Sequence, residues 1–469
     1  MYNYSRSANK IFIQISHFAG YVLCLKIFVS KCMRFKNFRR KSHRKACTLQ
    51  KRKVKKYRNI TVSDRFGYRG PAIRSVKMYR HLWAEINLDA LTHNIEQLKK
   101  YVPAEKFIGV IKANAYGHGA GMIAEVLESC GVNKFAVSNV YEAIDLRSVI
   151  KDGEILILGN TDPAATKELF EKNITACVFD TESAERLNNA AKDAGICLKC
   201  HLKIDSGMGR LGFNARASYS KIELEKQLLH VMSLENLNIT GAFTHFATAD
   251  LDGDKTGAFT NGQYTRFKEC SKILSEINKK KGGKQLVFHS SNSSASLIYS
   301  NAFPSDLCRL GIVMYGLTPS KDLNLPVTLK PVMSLKAVVS QIKTIYPGDA
   351  ISYGRTFVSD RTRKVATITA GYADGFMRGL SGKGYVLINK KKANILGRIC
   401  MDQAIVDVTD IEVKPQDTVT LFGEDLPIEI PAATLGTINY ELVCAVGHRV
   451  PRVYIKDGKI IKELRYRSL

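Results

Sequence analysis

The sequence predicts an α/β chain: an N-terminal (β/α)8 barrel followed by a mainly β domain, the two preceded by a basic extension. Three observations carry this. Eight short apolar runs alternate with helical patterns over about 210 residues, the strand count of a parallel barrel. Beyond Pro319 the texture changes to strand-length runs separated by Gly, Pro, Asn and Asp turns. The first 77 residues hold 21 Lys and Arg against a single acid, Asp64. The expected organisation is therefore extension 1–77, barrel 78–318 and β domain 319–469.

The chain has 469 residues, 45% hydrophobic and 24% charged, which excludes a disordered, collagen-like or coiled-coil protein. Its formal charge of +27 invites nucleic acid as a partner, but most of that charge belongs to the extension. No zinc knuckle, helix-turn-helix or interleaved aromatic pattern accompanies it, so no nucleic-acid partner is expected.

Within the extension an apolar run at 11–29 precedes a basic tract at 31–58. The run is long enough to raise a membrane anchor, but Gln14, His17 and Lys26 interrupt it. The charge also follows the run instead of preceding it, unlike a signal peptide. No membrane association is expected. The segment reads as a disordered basic tail, or as sequence upstream of a start at Met78, where amphipathic patterning begins abruptly. Eleven Cys without regular spacing suit reduced thiols and a cytoplasmic location. Cys197 and Cys200 form the one close pair with metal-like spacing, and with no second pair no metal is expected.

The elements follow in order. HLWAEINL (81–88) alternates like a strand and is expected to pair with the later domain. The eight barrel runs are FIGVIKA (107–113), KFAVSN (134–139), EILILG (154–159), TACVFD (175–180), KCHLKID (199–205), ITGAFTHF (239–246), QLVFHS (285–290) and DLCRLGIVMYG (306–316). Helical stretches lie between them, among them TESAERLNNAAKDAG with Thr181 as its expected N-cap. A doubly wound open sheet has the same alternation, and counting does not separate the two. The β domain is expected from SLKAVVSQIKTI, KVATITAGYADG, ANILGRICMDQAIVDV and DTVTLFGED, with one helix near IPAATLGTI.

Chemically capable residues fall at the C-terminal ends of these runs, where barrel enzymes build their sites. Lys112 ends the first, Arg210 follows the fifth, His245 ends the sixth, Asn292 and Ser293 follow the seventh, and Arg309 lies in the eighth. Singly, each is an ordinary solvated charge or turn residue; together they mark one rim. The SNSSAS loop and the RLGIVMYG segment offer hydroxyls and glycine backbone for an anion. A Lys beside an anion cradle points to a Schiff base with a phosphorylated aldehyde, above all pyridoxal 5'-phosphate.

VIKANAYGHG (110–119), HLKIDSGMGRLGF (201–213), FTHFATAD (243–250), RLGIVMYG (309–316), ISYGRTF (351–357), GYADG (371–375), GRICMDQ (397–403), TINYE (437–441) and RVPR (449–452) together resemble the alanine racemase family. The resemblance is collinear from about residue 80 to the end. It implies a pyridoxal-phosphate isomerase that interconverts L-alanine and D-alanine for peptidoglycan, built as a barrel plus a C-terminal β domain. By that resemblance Lys112 carries the cofactor, Tyr116, Ser293, Tyr440 and the backbone at Gly311 and Ile312 hold its phosphate with Asn292 beside them, His245 supports the ring and Leu158 lines it.

The resemblance also places Arg309 at the pyridine nitrogen. A guanidinium only donates, so that nitrogen accepts and stays unprotonated, a weaker electron sink that disfavours transamination. Lys112 and Tyr353 serve as bases on opposite faces, with Tyr353 and Met401 coming from the second subunit of a head-to-tail homodimer. Arg210 orients the substrate carboxylate, and Lys203 matches a position that is often carbamylated. Asp250, Tyr372, Arg378, Arg398 and Asp402 match or adjoin the substrate's way in. Gly447 stands before His448 where many relatives have Ser. A racemase for serine or broader substrates, or a basic amino-acid decarboxylase, shares the fold; the Tyr of ISYGRTF and the GRICMDQ motif favour alanine racemase.

Overall fold

The computed structural model describes residues 81–251, 254–321 and 323–465, with the side chains of 254–256 left aside. The expectations for residues 1–77 lie outside the described residues.

Strand β1 (Leu82–Asn87) leaves the barrel's sequence neighbourhood and joins the later sheet. The barrel strands are β2 (Phe107–Val110), β3 (Lys134–Val137), β4 (Glu154–Ile157), β5 (Ile174–Val178), β6 (Leu198–Asp205) with its short companion β7 (Phe213–Asn214), β8 (Leu237–Phe243), β9 (Val287–His289) and β10 (Cys308–Leu310). All eight expected runs therefore hold a strand. β2 and β5 are buried along their whole length, as strands covered on both faces require.

The order β10-β2-β3-β4-β5-β6-β8-β9, with parallel pairing throughout, removes the doubly wound alternative, because the last strand lies beside the first. The remaining seam is bridged by single bonds. Asp306 N donates to Phe288 O at 2.9 Å, Phe288 N to the Asp306 carboxylate at 2.7 Å, and Arg309 N to Ser291 O at 3.0 Å.

Two local expectations are corrected. Asp180, not Thr181, caps the helix Thr181–Asp193: its extended backbone lets the carboxylate accept from Ser183 N at 2.7 Å, while Thr181 is already the first helical residue. The run 306–316 is strand only to Leu310, because Gly311 breaks it and Ile312–Tyr315 form a 3-10 turn.

The β domain contains β11 (Met333–Ile345), β12 (Ala350–Ile351), β13 (Phe357–Val358), β14 (Arg363–Ile368), β15 (Tyr385–Ile388), β16 (Lys391–Leu396), β17 (Ala404–Asp407), β18 (Thr418–Phe422), β19 (Arg452–Lys456) and β20 (Lys459–Leu464). The long β11 pairs with β1 and β18 through its first half and with β14 through its second. That closes a ring of strands β11, β18, β15, β16, β17 and β14. β1 is clasped between antiparallel β11 and parallel β19, so the expected pairing of HLWAEINL with the later domain is present. The expected helix spans Glu429–Leu435, and a second, Asn439–Ala445, carries Tyr440.

Buried polar clamps join the barrel to the β domain. Asn94 donates to Met314 O and Lys330 O and accepts from Lys330 N, which pins the connection out of the barrel. Arg452 is fully buried on β19 and donates to Gly117 O, Gly447 O, Val450 O and Val446 O; the Tyr454 hydroxyl reaches His118 O at 3.1 Å. These two side chains seize the turn that begins at Lys112.

Candidate active site

Lys112 lies just past β2, and the four residues after it, Ala113, Asn114, Ala115 and Tyr116, have φ of 52°, 53°, 55° and 52°. A left-handed turn of L-residues costs roughly 1–2 kcal/mol per residue, so it persists only where its surroundings over-determine it. They do so here. The Glu142 carboxylate accepts from Ala113 N and Ser138 N, each at 2.7 Å, and Asn114 Oδ1 accepts from Ala120 N at 2.9 Å. Gly117 and Gly119 continue at φ 81° and 100°. A Cβ on the first would run into the Val443 carbonyl, and one on the second into the Tyr454 hydroxyl. The turn thus holds Lys112 at the mouth of the barrel by contacts from both domains.

Four cations gather there. Burial, and then the Arg210 guanidinium, hold the Lys112 ammonium below its ordinary range. Burial pushes Lys203 down to about 8, with Arg210, Arg309 and Lys112 adding to the effect against the Cys177 thiol. His245, just past β8, is kept neutral by burial and then by Arg309, Arg210, Lys203 and Lys112. Lys203 Nζ also lies 3.5 Å from Leu158 O and 5.2 Å above the Phe243 ring. Such a chamber attracts anions and favours the free-base form of its lysines.

Arg309 is fully buried, and burial lowers it to about 10, so it stays charged at neutral pH. Its Nη1 donates to His289 O at 2.8 Å and to His289 Nδ1 at 2.9 Å, and its Nη2 to Thr244 O and Ser290 O. A guanidinium cannot accept, so the proton of neutral His289 is on Nε2, which donates to His201 Nδ1 at 3.0 Å. Burial holds His201 down to about 3 and His289 well below its ordinary value, leaving both uncharged. Sequence reasoning missed this Arg309–His289–His201 chain. One signal was available: His201 and Lys203 are two apart on a strand and so share a face.

Beside the cations lies a cradle. Ser293 Oγ accepts from Gly311 N at 3.0 Å, and a Cβ on Gly311 would sit 2.7 Å from the Tyr116 hydroxyl. The Tyr116 and Tyr440 rings are 6.1 Å apart, and burial pushes both phenols up, so they remain protonated donors. Asn292 Oδ1 caps the following helix at Ala295 N, which shapes the loop around Ser293. Ile312 is buried behind Gly311, and Leu158 follows β4 at the rim. Hydroxyl donors, a side-chain-free backbone segment and nearby cations fit a phosphate ester, and Lys112 fits its aldehyde.

The structure does not bring every expected residue to this rim. Tyr353 is 70% exposed on the β domain, in the loop between β12 and β13, and Met401 is 52% exposed. Arg398 packs under Gly354, where a Cβ would meet Nη1 at 2.7 Å. Tyr372 N donates to Cys400 O, and Asp402 pairs with Arg449, which also holds Asp374. Arg378 is exposed on the nearby turn Arg378–Leu380, whose Ser381 cap accepts from Ile399 N. Among the described residues, no hydrogen bond, ion pair or ring contact joins Tyr353, Met401 or Arg398 to Lys112 or Arg309. Asp250 separates from this group, since its carboxylate acts on Tyr440 at the barrel rim.

Comparison with known proteins places these features. The family profile for the alanine racemase N-terminal domain matches residues 86–319, and that for the C-terminal domain matches 332–454. Alanine racemase 1 of Clostridium acetobutylicum is 38% identical over 400 residues, covering 83% of this chain and 100% of that protein. The alanine racemase of Desulforamulus reducens is 41% identical over 382 residues, covering 81% and 100%. Among solved structures, the Bacillus anthracis alanine racemase with bound L-Ala-P is 34% identical with a TM-score of 0.76, covering 83% of this chain and 98% of that one.

Proposed function

The chain belongs to the alanine racemase family, and from that premise we propose how its own residues interconvert L-alanine and D-alanine with pyridoxal 5'-phosphate. When bound, the cofactor supplies an aldehyde for covalent attachment and a conjugated ring that withdraws electrons from the substrate's α-carbon. The observation that carries the reading is the gathering of Lys112, Lys203, Arg210 and Arg309 around neutral His245, beside the cradle of Tyr116, Ser293 and Gly311.

The division of labour follows from position. Lys112 Nζ would hold the cofactor through its aldehyde and, when free, take or return the α-proton on one face; burial, and then the Arg210 guanidinium, hold its basicity below the ordinary lysine range, which favours the free amine this needs. Tyr116, Tyr440, Ser293 and the Gly311–Ile312 backbone hold the phosphate, with Asn292 shaping the loop. Arg309 offers only N–H to the ring nitrogen, while His289 Nδ1 and three backbone carbonyls fix its plane. His245 and Leu158 flank the ring. Arg210 binds the substrate carboxylate. A carbamate on Lys203 would give Arg210 an anionic partner, and its lowered basicity supplies the neutral amine that CO2 addition needs.

Tyr353 serves the opposite face from the partner subunit, as does Met401 beside the substrate; Tyr372, Arg378, Arg398, Asp402 and Asp250 border its approach. Support for a head-to-tail homodimer is the exposure of Tyr353 and Met401 on a loop cluster that, among the described residues, makes no bond to Lys112 or Arg309 of its own chain. The reading extends to a cytoplasmic enzyme that supplies D-alanine for peptidoglycan; no helix among the described residues is long and apolar enough to cross a membrane.

The test is chemical. Borohydride reduction of the cofactor-loaded chain should fix the cofactor on Lys112, and Lys112→Ala should leave no fixed adduct. Attachment to another Lys would overturn the site. Turnover of L-alanine well above L-serine selects the alanine reading, and the reverse selects the serine alternative.

A further inference from the structure

The chain between β6 and β7 makes a tight return. β7 pairs parallel with the end of β6, Ile204 beside Phe213 and Asp205 beside Asn214, so the crossover closes within residues 206–212. Parallel neighbours ordinarily need a connection of about a dozen residues or more. Arg210 sits on this short return.

Asp205 holds the return closed. The residue is buried, and its Oδ1 accepts from Gly207 N at 3.0 Å and from Gly209 N at 2.9 Å. Its Oδ2 accepts from Arg216 Nε at 3.0 Å and from Arg216 Nη2 at 2.9 Å, so the carboxylate ties the loop to the chain beyond β7. Gly209, the residue before Arg210, has φ 78°, and a Cβ there would lie 2.7 Å from Arg216 Nη2; the loop rests directly on the paired guanidinium. The start of the loop is pinned separately. Ser206 Oγ shares a hydrogen bond with Thr244 Oγ1 at 2.7 Å, and Ser206 O accepts from Arg266 Nε at 2.9 Å.

Arg210 has no comparable hold of its own. Its side chain is exposed, and among the described residues its guanidinium makes no hydrogen bond or ion pair. Its charge nevertheless lowers the basicity of Lys112, Lys203 and His245, so it stands beside the cations of the site. With no partner for the side chain, the place from which Arg210 reaches a substrate is set by its backbone, and that is the backbone Asp205 holds.

We propose that Asp205 is a positioning residue for Arg210: by holding Gly207 N, Gly209 N and the Arg216 guanidinium together, it sets the loop that presents Arg210 to the substrate carboxylate. The inference rests on the assignment of Arg210 to that carboxylate. Asp205 acts through Arg210 and not on the reacting atoms.

Propionate, which is alanine without its amine, reports the carboxylate contact without turnover. Asp205→Asn keeps an oxygen for the two glycine N–H groups but turns N–H donors toward Arg216. In calorimetric titration of the cofactor-loaded chain it should weaken propionate about ten- to a hundredfold, the loss that a displacement of about 1 Å can cause. Arg216→Ala, at an exposed side chain, should weaken it in the same direction by a smaller factor. Loss of the Asp205 charge by itself would tighten an anion instead, so the sign separates position from charge. A double-mutant cycle decides whether Arg210 is the route. In an Arg210→Ala background, Asp205→Asn should cause no further loss of kcat/KM for alanine, a quantity still measurable where propionate binds too weakly to titrate. Affinity for pyridoxal 5'-phosphate should be unchanged. If Asp205→Asn does not fold, Arg216→Ala and its own cycle with Arg210→Ala decide alone. Propionate binding that is unchanged or tighter, losses that add in the Arg210→Ala background, or an equal loss of cofactor affinity would overturn the proposal. A native chain that binds propionate but turns over no alanine would count against the racemase reading and leave this inference standing.

Discussion

Tyr353 shows how much one hydroxyl can decide. It is 70% exposed, whereas Lys112 is largely enclosed among cations. If the two are opposed bases, Tyr353→Phe keeps the ring and removes only the proton carrier. The expected outcome is a loss of about 10²- to 10⁴-fold in exchange of the α-hydrogen, roughly 3–5 kcal/mol of barrier, confined to the enantiomer that presents its hydrogen to the phenol. Deuterium exchange followed separately for L- and D-alanine reads this directly. An equal fall for both enantiomers would remove Tyr353 from that role.

At the scale of elements, the left-handed turn 113–116 and the break at Gly311 act together. Alanine at Gly311 would bring its methyl to 2.7 Å from the Tyr116 hydroxyl. The cost of Gly311→Ala is therefore steric, of the order of 1–3 kcal/mol for overpacking, and falls on the cradle. Cofactor dissociation measured by equilibrium dialysis should weaken about ten- to a hundredfold while the far-ultraviolet dichroism is unchanged. Gly447 is a milder case: a Cβ there would lie 3.1 Å from Ala373 O, so a Ser at this position would require that carbonyl to yield by a few tenths of an ångström.

At the scale of the whole molecule two properties are testable. In the proposed shared site, a heterodimer of Lys112→Ala with Tyr353→Phe keeps one interface where native Lys112 meets native Tyr353. Mixing the two inactive proteins should restore up to one good site per mixed dimer; heterodimers without activity would place both residues in one chain's site. The second property is acid sensitivity. His118 and His201 are buried and held at about 4 and about 3, below the ordinary 6.5 they regain on unfolding. Below pH 6.5 the unfolded chain takes up protons that the folded one refuses, so stability declines as pH falls from 6.5 toward 4 and is recovered above it. The slope is about 1.4 kcal/mol per pH unit for each His. The thermal midpoint followed over that interval should fall accordingly, and more gently in His201→Asn; a flat profile would contradict the buried neutral state.

By itself the sequence determined the strands, the rim and the family. Eight β-branched runs at the right spacing predict parallel strands because both faces of each are buried, and Lys112, Arg210, His245, Ser293 and Arg309 follow from strand ends alone. Local periodicity carries that much. Tertiary structure decided the rest, because each remaining feature joins distant segments: β1 crossing to β11 and β19, Arg452 reaching Gly117, and Arg309 bound through His289 to His201. Four successive left-handed residues at 113–116 contradict local propensity, and only contacts from Glu142, Arg452 and Tyr454 make them the stable choice. A periodic pattern records which face of an element is buried. It does not record what the buried face meets, and in this chain that pairing keeps His201, His245 and His289 neutral and lowers the basicity of Lys203.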